Sequence, residues 1–347
     1  MKKHTNLFNT ILLIAVVNLP AMSMAANGDD IDKKKNFSKT YTVGANDKLE
    51  IENSFGNVVI NTWDKKEIKV DVEVGAKAST EEKAQDMLNE ISVKDYQSGN
   101  TISWKTDIGD INDNHRGKHK NNDENDRKFY IDYTVYMPAS NPLTIENSFG
   151  KTTVPDFNGR VNLTSKFGGL TTGKLADVDE IDVEFGSAEL GPVHNGDITF
   201  KFNSKSYIEK VSGTVKVKSE FSGNVQFSVD NNIQDLSVYE SYSSIRMVVN
   251  KALSAKFDIH TSFGNFHNST DFNINEEKED EDSGPKFDRD YSGQSGDGKA
   301  KIKIKSSFGK VRISDSADKP GTSTDSDDDN NDDKGNKHKS KDKSRSS

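Results

Sequence analysis

The 347 residues are 31% hydrophobic and 30% charged; a globular domain is usually about 45–50% apolar, so one thick core is hard to fill and a thin, repeat-built core is favoured. A net charge of -9 argues against nucleic acid, whose phosphates call for clustered Lys and Arg, and reads as a solubilising surface. With no cysteine, disulfides, thiolate metal sites, a cysteine nucleophile and a lipidated N-terminal cysteine are excluded.

The chain opens on Lys2, Lys3 and His4. An apolar run from Leu12 to Val17 follows, then Pro20, then Ser23-Met24-Ala25. This order predicts a cleaved signal peptide over residues 1–25. The apolar run is shorter than the about 20 residues a spanning helix needs. No later segment is apolar enough for a transmembrane segment, so the mature chain is expected in the periplasm, at the cell surface or outside the cell. Residues 26–39 are polar and read as a flexible leader.

Residues 40–137 read as a β-rich cap. Lys48–Glu52 alternates, Val58–Ile60 does so less cleanly, and Glu67–Val74 alternates over eight residues, the mark of a half-buried strand. Ser79 with Glu82 forms a capping box, and Ala84, Met87, Leu88 and Ile91 share one face. They predict a helix near 80–91. Ile91–Val93 and Thr101–Trp104 read as a hairpin about Ser98-Gly99-Asn100. Residues 107–128, nearly all Asp, Asn, Lys and His, read as a mobile loop. Phe129–Met137 is the next strand, with Tyr130, Asp132, Thr134 and Tyr136 on one face, and Pro138 and Pro142 end it.

From residue 138 to 315 the chain repeats itself. Ile145-Glu146-Asn147-Ser148-Phe149-Gly150 copies Ile51-Glu52-Asn53-Ser54-Phe55-Gly56. Weaker copies place aromatics at Phe167, Phe185, Phe202, Phe221, Tyr242, Phe263 and Phe308. From Phe149 the steps are 18, 18, 17, 19, 21, 21 and 45 residues. The last step reads as two coils with an acidic, Gly-rich insertion near 275–298. Steps near 20 residues predict a β-helix or β-solenoid about 40 Å long, one strand spacing per coil.

Each aromatic has Ile, Leu or Val four residues before it, so strand parity puts both on one face, taken as the inside. Phe55, Phe149, Phe167, Phe185, Phe202, Phe221, Tyr242, Phe263 and Phe308 then form an internal ladder. Phe185→Ala is accordingly expected to cost about 3–5 kcal/mol. Two residues before the aromatic, also inward, stand small polar residues (Asn147, Ser165, Ser219, Thr261, Ser306), whose hydroxyls and amides are expected to satisfy one another. Glu240 breaks that pattern and puts its coil's register in question. Gly56, Gly150, Gly168, Gly186, Gly264 and Gly309 follow their aromatics and read as corners needing φ > 0; Asn203, Ser222 and Ser243 stand in the other copies. After the corner, Val58/Ile60, Leu170/Thr172, Ala188/Leu190, Ile245/Met247 and Val311/Ile313 are expected inward. Outside, Lys166, Glu184, Lys201 and Glu220 alternate in sign, as laddered strands prefer. Residues 316–347, rich in Ser, Asp, Asn and Lys, read as a disordered charged tail.

The Asn-Ser-Phe-Gly-Asn-Val motif, Thr62-Trp63-Asp64, the Ile68–Val74 strand, the helix with Ala84-Gln85, Tyr133–Pro138 and the Phe-Gly repeats occur in an order that resembles the putative-adhesin family of exported bacterial β-strand-repeat proteins. The resemblance covers about residues 40–315. It implies a right-handed β-helix-like fold and an envelope or surface location, and supplies no catalytic residues.

No constellation points to catalysis, a cofactor or a metal. His115 and His119 share the loop, while His260 and His267 flank the Phe263 corner. Asp177, Asp179, Glu180, Asp182 and Glu184 crowd one coil. Asp182 and Glu184 lie about 7 Å apart on one strand, a separation that glycoside hydrolysis can use. The expectation is a mostly all-β, non-enzymatic, adhesin-like binding or scaffold module of the envelope. Its expected partner is a glycan, a surface polymer or an envelope protein. The alternatives are a β-helix carbohydrate-active enzyme and a periplasmic regulatory partner acting through the loop or the tail.

Overall fold

The computed structural model describes residues 31–109, 128–277 and 287–315. The expected signal peptide, residues 26–30 of the leader, nearly all of the 107–128 loop and the 316–347 tail lie outside the described residues. Among the described residues, 22 strands share one hydrogen-bonded sheet and the one helix is Glu81–Glu90. The protein is thus nearly all β, its sheet curled almost closed around one continuous apolar core.

The eight-residue alternation marks the strand Glu67–Ala78, which buries Ile68, Val70, Val72 and Val74. Lys128–Met137 pairs antiparallel with it on one side and Ile31–Thr42 on the other. Residues 31–39, expected as leader, are therefore strand. The open edge of Glu67–Ala78 presents a row of backbone donors and acceptors, which a polar segment can pair as well as an apolar one. Composition alone hides such a strand.

The helix packs Ala84, Met87 and Leu88 against these two strands. Its N-cap is Thr80 rather than Ser79: the Lys83 amide donates to Thr80 Oγ1 at 3.2 Å. The hairpin forms as expected, from Ser92–Ser98 and Thr101–Asp107, with Gly99 at φ 56° in its turn.

From Leu143 to Ser241 the strands of successive repeats pair in parallel. Ile145, Leu163, Ile181, Ile198, Val217 and Val238 lie side by side in that order, all buried. After the corner, Leu170, Ala188, Ser206, Val225, Ile245 and Val311 form a second buried row. The copy at 51–56 joins this array directly, because Ile51 pairs with Ile145. The first motif therefore belongs to the repeat array as well as to the N-terminal region.

The 45-residue step is not two successive coils. Val238 pairs with Ile304, and Ile304 pairs with Ile259, so the repeat of Phe308 lies between those of Tyr242 and Phe263. After the Phe263 coil the chain makes Asn273–Glu276, then Asp288–Ser295, which runs antiparallel to Ala255–Ser262. The Ala300–Ser307 strand then enters the array. The Asp288–Ser295 part of the apparent insertion near 275–298 is thus a strand that covers the outer edge of the terminal repeat. Uncovered, that edge would offer unpaired backbone to other chains.

Candidate functional site: an outward aromatic row

Residues four and two before each aromatic are buried as parity requires; Asn147, Ser165, Ser219, Thr261 and Ser306 are all 0% exposed. The aromatics themselves are not. The eight rings of Phe149, Phe167, Phe185, Phe202, Phe221, Tyr242, Phe308 and Phe263 are 48–54% exposed. The reason lies in the backbone. All nine aromatics, Phe55 included, take φ between 48° and 62°. The regular strand ends one residue earlier, and the left-handed residue breaks the alternation and turns its ring outward. The expectation of an internal ladder is corrected: the rings stack along the outside. Each amide except that of Phe263, which donates to the Phe287 carbonyl, donates to the carbonyl of the residue before the next aromatic, as from Phe149 to Lys166 at 2.9 Å and from Phe202 to Glu220 at 3.0 Å.

Bulky residues in this region of φ are uncommon, at a cost of roughly 1–2 kcal/mol each. The rings offset part of that cost by stacking. From Phe55 through Phe149 to Tyr242, then Phe308 and Phe263, successive centroids are 4.7–5.3 Å apart and planes differ by at most 8°. Phe129 leans on one end at 53°, and Phe287 extends the other at 19°.

The glycines after the aromatics are corrected in the same way. None of Gly56, Gly150, Gly168, Gly186, Gly264 or Gly309 has a positive φ. What they supply is closeness: a Cβ at Gly168 would stand 2.0 Å from the Gly150 carbonyl oxygen, and one at Gly150 would stand 1.7 Å from that of Gly56. Where glycine is missing, buried side chains do the joining. The amide of Gly186 donates to Asn203 Oδ1 (2.9 Å), that of Asn203 to Ser222 Oγ (3.2 Å) and that of Ser222 to Ser243 Oγ (3.0 Å). The Ser243 amide donates to Glu240 Oε1 at 2.6 Å, and Ser306 Oγ donates to Glu240 Oε2.

Glu240 therefore keeps its coil in register. Its neighbours in the row are Ser219 and Ser306, and Gly309 leaves room for its carboxyl. Burial pushes its pKa up, against the two hydrogen bonds. The expected mutual satisfaction of inward polar groups forms at Asn53 and Asn147, whose amides meet at 3.1 Å. The hydroxyls of Ser165 and Ser219 have no hydrogen-bond partner among the described residues.

The outer charged row forms in the expected order, Lys166 beside Glu184, Lys201 and Glu220. Lys201 Nζ reaches Glu184 at 2.8 Å and Asp182 at 3.3 Å; the hydrogen bond it donates to Glu184 leads the effects that raise its pKa. Two shallow depressions lie beside the aromatic row, of about 480 Å³ at Phe55, Phe129 and Phe149 and about 400 Å³ at Phe167, Phe185 and Phe202. Asp182 and Glu184 line neither. The structure does not bring His260 and His267 together: His260 Nδ1 instead meets Asp290 at 2.7 Å. His115 and His119 lie outside the described residues. No group of three or more His, Asp or Glu among the described residues is arranged for a metal ion, and none of the described helices is long and apolar enough to cross a membrane.

No protein-family model matches the chain, and no curated protein matches it. Several solved structures are similar. A "putative cell adhesion protein" of Clostridium sporogenes is 14% identical, covering 81% of this chain and 99% of its own, with a TM-score of 0.25. A "putative adhesin" of Bacteroides fragilis is 11% identical over 80% and 97%, with a TM-score of 0.34. A "putative lipid binding protein" of Parabacteroides distasonis is 9% identical over 83% and 97%, with a TM-score of 0.27.

Proposed function

We propose that this chain is an exported, non-enzymatic envelope protein of the putative-adhesin type, in which a right-handed β-solenoid presents a repetitive surface to a glycan, surface polymer or envelope protein. The observation that carries the reading is the lateral register. Parallel strands one repeat apart line up their outward residues, so one short pattern recurs every strand spacing. Parallel pairing at steps of 17–21 residues supports the solenoid. The putative-adhesin assignment rests on the order of motifs from Asn53 to Phe308. Export rests on the basic, apolar and small-x-small order of residues 1–25.

The non-enzymatic reading is supported by the carboxylates that a glycan-cleaving enzyme would need. Asp182 and Glu184 lie on the sheet surface, both tied to Lys201, and away from the two depressions. Glycoside cleavage requires one acid and one base or nucleophile free to act across a bound sugar.

A glycan array and an envelope pull-down with residues 26–347 test the proposal. Saturable binding to one polymer class or one envelope protein, lost on unfolding, is the expected result. Release of new reducing ends from a bound polysaccharide, abolished by Asp182→Asn or Glu184→Gln, would overturn it in favour of the enzyme.

A further inference from the structure

The aromatic row leaves more apolar surface in water than a soluble chain ordinarily carries. At ~150–250 Å² per aromatic side chain, eight half-exposed rings expose roughly 600–1,000 Å². The largest apolar patch on a typical monomer is about 300–600 Å², and a standard protein interface covers about 800 Å² per partner. The patch by itself is therefore large enough for a stable protein contact.

Its geometry narrows the partner. Between the ends of the row, each ring face is occupied by the next ring at 4.7–5.3 Å. Only ring edges face outward, so a sugar or a planar ligand has no free face to stack on. The rungs repeat at strand spacing. An extended peptide laid along the row presents side chains on one side only about every 6.6–6.8 Å, and it falls out of step within a few rungs. A surface that stays in step over eight rungs must itself be a stack of strands. Paired sheets of identical rows make dry, interdigitated contacts on this principle.

Beside the ridge lies a shallow trough at two places, Phe55–Phe149 and Phe167–Phe202. At Phe167–Phe202 it is floored by Gly168, Gly186, Ser187 and Ser204, backbone and short side chains that stand lower than the rings.

We propose that two copies of this chain pair along the aromatic row about a two-fold axis, the ridge of each seated in the trough of the other. The contact is isologous, so it closes at two copies. It leaves the charged rows of both copies facing solvent. The inference goes beyond the binding-module reading and uses a different row of the surface.

Sedimentation equilibrium of the purified chain tests it, with two variants. Phe185→Ser removes a central rung. Gly169→Arg puts a long charged side chain at the side of the trough: its Cβ has open room, with Ser187 Oγ of the trough floor the nearest atom at 3.8 Å. The expected result is a two-copy species in the parent chain, with dissociation at least tenfold easier in each variant that retains the parent's far-UV circular dichroism. Gly169→Arg keeps the test decisive if Phe185→Ser fails to fold. Single copies throughout in the parent chain, or a pair indifferent to Gly169→Arg, would overturn the proposal. Polymer capture by monomeric Gly169→Arg separates the two readings. If capture survives, the binding function is independent of pairing; if the parent chain is monomeric yet captures polymer, only the pairing fails.

Discussion

Phe200 and Phe202 stand two residues apart at the end of one strand, and they belong to two different regions of the molecule. Phe200 is 0% exposed in the core, while Phe202 is 48% exposed in the outer row. Parity alone puts them on the same face. The difference is one backbone angle, φ 54° at Phe202. A period-two pattern therefore assigns faces only as far as the strand is regular, and the sign of φ at its last residue can reverse the side on which a large ring ends.

The contrast is open to breakage by substitution. The largest effect is expected at Phe200→Ala, about 3–5 kcal/mol of stability, because a fully buried ring leaves a cavity. Denaturant unfolding followed by circular dichroism measures it. A loss below about 1 kcal/mol would mean that the inner row is not closely packed.

Gly168→Ala comes next, at about 2–3 kcal/mol, since the new methyl has nowhere to go but into a neighbouring carbonyl and the backbone must shift. The same unfolding measurement applies. An unchanged midpoint would contradict the close approach of neighbouring repeats.

Phe185→Ala should cost about 1–2 kcal/mol, from half a ring's burial and two stacking contacts. That is well below the 3–5 kcal/mol expected for an internal ladder. A sharper form of the prediction exists. At φ 54° alanine keeps the left-handed strain and glycine sheds it. Phe185→Gly should therefore be no less stable than Phe185→Ala, whereas at Phe200 the glycine variant should be the worse of the two.

The smallest effect concerns the buried carboxyl. Glu240 has its pKa raised by burial, so in the unfolded chain it loses its proton at lower pH than in the folded one. Its contribution to stability is fully present below the unfolded carboxylate pKa and is lost as pH rises through the folded value. Glu240→Gln can keep both hydrogen bonds, accepting from the Ser243 amide and donating to Ser306. It should gain stability over the parent as pH rises from about 4 to 7, with no gain below the carboxylate range. A difference between the two proteins that is constant across that range would remove the titration from the account.

Much of this fold was legible in sequence. The copies at 51–56 and 145–150, the aliphatic four residues before each aromatic and the Lys166–Glu220 row give the repeat, the inner face and the parallel register. Three features were not. The outward turn of the aromatics depends on a dihedral angle that residue identity does not display, and phenylalanine is a poor marker for positive φ. The 45-residue step is two coils by arithmetic, and only the antiparallel run of Asp288–Ser295 against Ala255–Ser262 shows that the later coil enters beneath the earlier one. The Ile31–Thr42 strand is polar because it fills an edge rather than a core. The site followed the fold: the ring positions were readable, but not the side of the sheet on which they work. In the Asn203, Ser222 and Ser243 coils, side-chain oxygens stand where glycine stands elsewhere, which a search for corner glycines passes over.

Thiol labelling tests the outward row most directly, and the absence of cysteine makes each introduced thiol the sole one. Phe202→Cys and Ser219→Cys occupy the outer row and the inner row. They are exposed to a water-soluble maleimide at a concentration where sedimentation gives single copies. Rapid labelling of the cysteine at 202 in the native fold, with labelling at 219 only in denaturant, is the predicted result. Equal protection of both positions, released together on unfolding, would put the aromatic row inside the protein and contradict the account.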